Sequence, residues 1–235
     1  MTANTLVGHF LSCWRGRRVP EPEVMDSPDE VEAYTDAAAQ RYLAQLDEGA
    51  ARRAAALAPR ARCAVDLGCG PAAIPLSVAG RLPDLFIVGV DLSPPMLRRA
   101  RQEARRRGLG HSLRLVCASA AALPFRGGCF DLVMSNSLLH HLARPEQVMK
   151  EAARVAAPRA AFFLRDLRRP PRLWLGTHLR WFGRHYEGEM RRLFEISVRA
   201  AYTRREVRRQ AQQLPGAAVR RRGGAHLEVV RAAGE

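Results

Sequence analysis

The chain has 235 residues, 47% of them hydrophobic, enough to bury the core of one α/β domain and too many for a disordered chain. Its formal charge of +15 is uneven: residues 1–97 hold 9 basic and 12 acidic side chains, residues 98–235 hold 29 and 11. No apolar run approaches the ~20 residues that cross a bilayer, and no secretory leader is read at the N-terminus, so a cytoplasmic protein is expected.

The first 60 residues read as a cap segment, with a loop at PEPEVMDSPDE and an alanine-rich helix from about Glu30 to Ala58. From residue 61 strand-like and helix-like segments alternate, the pattern of a parallel sheet covered on both faces. CAVDLG is a first buried strand, followed by a helix from Pro71 through Ala79, since proline suits a first helical position. LFIVGVDLS is a second strand; Ser93 caps the next helix and Gly108 stops it. LRLVCAS and FDLVMSNS are strands three and four, RPEQVMKEAARV is an amphipathic helix, and AAFFLRDL is a fifth strand after a turn at Pro158-Arg159-Ala160.

A helical insert follows at about residues 170–200, then a helix opened by the capping box Thr203 and Glu206, and a hairpin turning at Gly223-Gly224. Trp174, Trp181 and Phe182 stand at helical spacing in the insert, which favours core packing over a substrate wall. His178 and His185 are expected at the surface.

The five cysteines form no CxxC pair and no ligand spacing with histidine, so no metal centre is expected. All basic residues but Lys150 are arginine, which beside the alanine abundance reflects codon bias. The positive field would still attract nucleic acid, acidic lipid or an anionic substrate. Arginines surround the helix at Arg98 to Arg107 and no aromatic follows SNS at the end of strand four, so nucleic acid is not favoured as a partner.

Asp66, the glycine loop Gly68-Cys69-Gly70, Asp91, Ser119 and Asn136 all fall near the C-terminal ends of strands, where such sheets bind ligands. The loop fits a dinucleotide fingerprint, but Asp66 would repel a pyrophosphate and Pro71 removes an N–H donor. A ligand with a cationic end, a ribose and no phosphate suits the loop better. S-adenosylmethionine is such a ligand, its ammonium answering to Asp66 and its ribose hydroxyls to Asp91.

Taken in order, VDLGCGPAAIPL, VGVDLSPPMLRRA and LPFRGGCFDLVMSNSLLHHL resemble the class I S-adenosylmethionine-dependent methyltransferases. Within them they are similar to the type-11 branch that includes ubiquinone/menaquinone-type enzymes. The resemblance covers Cys63 to about Leu167. It implies a Rossmann-like three-layer α/β/α sandwich with a seven-stranded, mostly parallel sheet, a terminal antiparallel hairpin strand and an N-terminal helical cap.

It also implies S-adenosylmethionine contacts at Asp66, Gly68, Cys69 and Gly70 for the methionine end and at Asp91 for the ribose. Leu92 and Met96 would pack on the adenine, and Asn136 would lie beside the sulfonium. Ser119, with Ala120 beside it, stands where the family places an acid that bonds the adenine amino group. Cys69 is read as packing. N-terminal segments close over the cofactor in this family, which brings in Met25, Asp26 and Tyr34.

Methyl transfer needs alignment and dryness, and a base only where the nucleophile keeps its proton. The candidates are His140, His141 and Asp166. The ordinary alternatives are packing for the histidine pair and an ion pair between Asp166 and Arg165, Arg168 or Arg169. The expected acceptor is a small molecule. RNA methylation and a cofactor-binding protein with a decayed site are the alternatives, and the oligomeric state is not legible.

Overall fold

The computed structural model describes residues 18–21 and 41–234. Met25, Asp26 and Tyr34 lie outside the described residues. The sheet is built from β1 (Cys63–Leu67), β2 (Phe86–Asp91), β3 (Leu113–Cys117), β4 (Phe130–Asn136), β5 (Ala156–Leu167), β6 (Ala218–Arg222) and β7 (His226–Arg231). Its order is β3-β2-β1-β4-β5-β7-β6. The first five strands are parallel; β7 pairs antiparallel with both β5 and β6. The seven-stranded Rossmann-like sandwich is therefore as expected.

Alternation along the strands separates two cores. Val65, Leu67, Val133, Phe162 and Leu164 face one side and meet Val148, Met149, Ala152 and Val155 of α4 (Pro145–Val155). Ala64, Leu132, Met134 and Phe163 face the other, against α1 (Arg41–Leu57) and α2 (Ala73–Ala79). Alanine at positions 50, 51, 54 and 55 lets α1 lie close on the sheet. Next to α2, α3 (Pro94–Arg106) packs Ala100 and Ala104, with Ser93 capping it as expected. Its arginines do not encircle it: Met96, Leu97, Ala100 and Ala104 form a buried stripe and the arginines take the exposed side.

Strand order reverses between β1 and β4, since β1 leads outward to β2 and β3 while β4 leads to β5. The C-terminal ends of these two strands open the crevice where such sheets place ligands. The insert that overhangs it is two helices, α5 (Arg172–Gly183) and α6 (Gly188–Ala200). Then α7 (Arg204–Gln210) begins with the capping box of Thr203 and Glu206. Among the described residues no helix is long and apolar enough to cross a membrane.

Several local expectations are corrected. Helix α2 starts at Ala73, not Pro71. Gly68, Gly70 and Ala72 all have positive φ, so the chain is still turning at Pro71 and cannot yet be helical. Strand β5 starts at Ala156, so Pro158, Arg159 and Ala160 lie inside it rather than in a turn before it. The cost is visible there: Arg159 has φ 64° and the pairing with β4 shifts register between Phe130 and Leu132.

Trp174 and Trp181 are not core residues; they are 64% and 58% exposed. They stand seven residues apart on the outer side of α5, whereas His178 and Leu179 take the inner side. His178 is thus buried rather than superficial, its ring 4.6 Å from that of Phe182. Phe182 in turn lies on Gly224 of the hairpin turn, where an added Cβ would come within 2.6 Å of its ring. His185 is half-buried beside Arg184.

Candidate active site

Everything at the crevice is arranged by the turn after β1. Gly68 N–H and Cys69 N–H donate to Val90 O of β2 at 2.8 and 3.0 Å. A side chain at position 68 is excluded twice over: φ is +68°, and a Cβ would sit 2.9 Å from Leu138 Cδ1. At Gly70 an added Cβ would meet nothing within 4 Å, so the backbone there is open to a ligand. Asp91 then joins two loops. Its Oδ2 accepts from Gly70 N–H and its Oδ1 from Ser93 N–H, both at 2.8 Å. Burial raises the Asp91 carboxyl above its ordinary range, and these donors offset part of that.

A chamber of about 190 Å³ begins at this loop. One end is formed by Gly68, Gly70, Asp91, Leu92, Met96, Ser119 and Ala120. An apolar part of the wall comes from Leu43 of α1, Tyr186 before α6, and Met190, Leu193 and Phe194 of α6. Asn136, His140 and His141 line the wall as well. Asp66 and Cys69 do not. They border a separate cleft of about 40 Å³ that shares Gly68, Gly70, Asp47 and Asn136 with the chamber.

The reason for this displacement is strand alternation. Asp66 lies between Val65 and Leu67, so it faces α1 and α2 while its neighbours face α4. Burial pushes its carboxyl up to about 7, and nearby Asp91 adds to the rise. Cys69 is buried with its Sγ against Gly89, and burial holds its thiol well above the usual range, as suits a packing residue. Ser119 Oγ accepts from Ala121 N–H at 3.2 Å, closing the turn after β3.

Asp166 does not pair with the neighbouring arginines; its partner is His140. Nδ1 of His140 lies 2.5 Å from Asp166 Oδ1, both groups being almost fully buried. Asp166 Oδ2 also accepts from the His140 backbone N–H at 3.2 Å, and Leu167 N–H donates to Oδ1 at 2.6 Å. The carboxylate therefore fixes the ring and holds the Nδ1 proton, leaving Nε2 as the basic nitrogen. Burial alone would lower the imidazole's pKa, but Asp166 and Glu21 more than offset it, so the value lies above the ordinary one. The 3₁₀ turn Leu139–His141 that carries the histidines follows Ser137, which has φ 56°. That left-handed residue bends the chain back from β4 toward the site.

Sequence reasoning missed several residues here. Arg18 to Glu21, in neither helix nor strand, form a strap against the site. Arg18 donates to Ala200 O, His140 O and Leu142 O at 2.6, 2.6 and 3.0 Å, and its guanidinium lies over the Tyr202 ring. Glu21, held by Ser197 Oγ at 3.2 Å, brings Oε1 to 3.2 Å from His140 Nε2 and 3.3 Å from His141 Nδ1. Nothing in the local pattern of VPEPEV announces this, because the contacts are made with residues far along the chain.

Arg165 was also missed as a site group. It is buried, donates to Asn136 Oδ1 and His226 Nε2 at 3.1 Å each, and lies 3.7 Å from Asp47. Burial and this cation keep His226 neutral, its pKa well below the usual value, while burial raises Asp47 to about 6 against the pull of Arg165. A usable signal existed: two charges inside the apolar strand FFLRDL must each find a buried partner.

Residues 65–164 match the model of the family described as Methyltransferase domain. A demethylmenaquinone methyltransferase of Thermus thermophilus is 36% identical over 108 residues, 46% of this chain and 48% of its own length. A malonyl-[acyl-carrier protein] O-methyltransferase of Geobacter sulfurreducens is 40% identical over 100 residues, 42% of this chain and 36% of its own. The chain thus spans half or less of the length of these relatives. A plantazolicin methyltransferase, solved with a triazolic desmethylPZN analog and S-adenosylhomocysteine, superposes with TM-score 0.69 over 97% of this chain and 95% of its own. At 10% identity that likeness is one of fold. The stretch from Val65 to Leu164, with its glycine loop, strand-end acids and reversal of strand order, is thus similar to the methyltransferase domain whose family model it matches.

Proposed function

We propose that the protein transfers a methyl group from S-adenosylmethionine to a small, largely apolar acceptor whose nucleophilic atom carries a proton, with His140 as general base. The observation behind this is one chamber whose walls include the open glycine loop, an apolar part and a carboxylate-held imidazole.

The residues present fit the cofactor. Gly70 leaves room for close approach, and the second lone pairs of the Asp91 oxygens stay available for two ribose hydroxyls. Leu92 and Met96 offer apolar contact for adenine, and Ser119 and Ala120 border the same end. Asp66, at about 7, is poised to ionise beside an ammonium in the adjoining cleft. When bound, S-adenosylmethionine supplies a methyl on a sulfonium, an electrophile whose leaving group is a neutral thioether.

The chain's own work is then positioning, drying and proton transfer. Leu193, Phe194, Tyr186 and Met190 hold an apolar acceptor and exclude water from the line of attack. His140 takes the acceptor's proton on Nε2, and Asp166 stabilises the imidazolium that forms. Asn136, anchored by Arg165, presents its amide beside the reacting centre. We place the enzyme in the cytoplasm, where exposed Cys117 would stay reduced.

Incubation of the full chain with methyl-labelled S-adenosylmethionine and a host extract, followed by identification of the labelled product, tests the reading. Label in an apolar small molecule, lost in His140→Ala, is the expected result. Label only in RNA, or a fully active His140→Ala, would overturn the acceptor class or the base respectively.

A further inference from the structure

We propose that Glu21, His140 and His141 form a binding site for a divalent transition-metal cation of the zinc class, and that its occupancy switches the base off. The switching part rests on the role proposed for His140; the site itself does not.

Three ligand atoms converge, and the carboxylate oxygen among them has no hydrogen bond to account for its place. Glu21 Oε1, His140 Nε2 and His141 Nδ1 all lie within 4.8 Å of one another. Glu21 Oε1 is fully buried and makes no hydrogen bond that satisfies distance and angle, although it is 3.2 and 3.3 Å from the two nitrogens. A charge-assisted N–H···O⁻ bond closes to about 2.7–2.9 Å. Zinc bonds to nitrogen and oxygen are about 2.0–2.1 Å, and the edge of a tetrahedron with such bonds is about 3.3–3.4 Å. The observed separations match that edge and exceed the charge-assisted hydrogen bond.

The surroundings are those of a metal ligand set. The nitrogen of His140 that does not face Glu21 is held by Asp166 at 2.5 Å, the carboxylate–histidine arrangement that orients a ligating imidazole and raises its basicity. Two imidazoles and one carboxylate suit zinc and its neighbours rather than calcium or magnesium, which prefer oxygen alone. His140 and His141 both line the chamber, so a fourth position would open toward it. Metal spacing rules in sequence do not reveal such a site, because the carboxylate comes from the distant strap.

The functional consequence follows from one lone pair. Nε2 of His140 cannot both bind a metal and accept the acceptor's proton. Zinc binding therefore inhibits methyl transfer, and removing zinc restores it.

The test uses the full chain, stripped of metal, without cofactor or acceptor. Zn²⁺ is titrated by calorimetry and Co²⁺ is followed by its visible absorption. One equivalent is expected, with a Co²⁺ spectrum of a four- or five-coordinate nitrogen/oxygen site. Glu21→Gln and His141→Ala should each weaken binding by at least ~10-fold, the scale seen even for outer partners of ligands. No binding to the unaltered chain, equal binding by both variants, or a thiolate-to-cobalt charge-transfer band marking cysteine ligation would each overturn the site. Once an acceptor is identified, zinc should inhibit the unaltered enzyme at concentrations that do not lower Glu21→Gln below its own metal-free rate. Full activity with the metal bound would overturn the switch and leave the site standing. An active His140→Ala variant would refute the base while the Co²⁺ spectrum still decides the metal.

Discussion

Replacing Asp66 by asparagine should stabilise the protein in alkaline solution far more than in acid. Burial, helped by Asp91, raises the folded-state carboxyl from an ordinary 3.8 to about 7. A carboxyl raised on folding costs stability wherever the unfolded chain would be ionised, and the cost grows as pH climbs toward the folded value. At 1.36 kcal/mol per pH unit the cost is ~2 kcal/mol at pH 5 and grows by ~3 kcal/mol toward pH 9. The asparagine carries neither, so its stability relative to the parent should improve by about 3 kcal/mol from pH 5 to pH 9. For a chain of this size that is roughly 6–12 °C in Tm. Any fixed cost of burying the amide is the same at both pH values and cancels in the comparison. Thermal melts of both proteins by circular dichroism, without cofactor, give the number. A difference in Tm that is the same at pH 5 and pH 9 would show that Asp66 is not held protonated by its surroundings, and the reasoning would fail.

Other substitutions test other parts of the site. Asp91→Ala removes the acceptor for Gly70 N–H and Ser93 N–H, and calorimetry should show S-adenosylhomocysteine binding weakened ~10- to 100-fold or more, as for lost bonds to a charged group. Asp166→Asn should lower kcat by ~10²–10⁴-fold, the usual worth of a positioned base, while cofactor affinity measured by calorimetry stays within ~3-fold. Gly68→Ala forces a Cβ to within 2.9 Å of Leu138 at a positive φ, so a denaturant titration should report a loss of at least ~1 kcal/mol. Thr203→Ala removes a helix cap that is not part of the chamber lining and should cost ~0.5–2 kcal/mol with cofactor binding intact.

What the sequence disclosed was local. Strand alternation, the cap at Ser93, the box at Thr203 and the order of strand-end motifs all follow from neighbours a few residues apart, and the structure has them. The errors arose where local signals are silent. Pro71 is a good first residue for a helix, yet three left-handed residues around it postpone the helix to Ala73. Helical spacing marks the apolar residues of α5 but does not say which side meets the protein, so Trp174 and Trp181 were assigned inward and stand outward. Of the site, the histidine pair and Asp166 were named, but their joining was not, because they stand 26 positions apart with a helix between them and no local pattern links them. Glu21 and Arg18 acquire their roles only from the fold.

The strap has a consequence for how the site comes into being. The bond from Arg18 to Ala200 spans 182 residues, and that from Ser197 to Glu21 spans 176. Closing so long a loop is entropically costly until the intervening sheet has already drawn its ends together. The sheet and α6 must therefore be in place before Glu21 can reach the histidines, which makes the carboxylate beside the histidine pair the last to arrive. By the same logic it is the first to leave: opening the strap costs only its own few contacts, far less than global unfolding. Hydrogen exchange should find Val19 N–H, bonded to Arg199 O, less protected than the amides of β1 and β4.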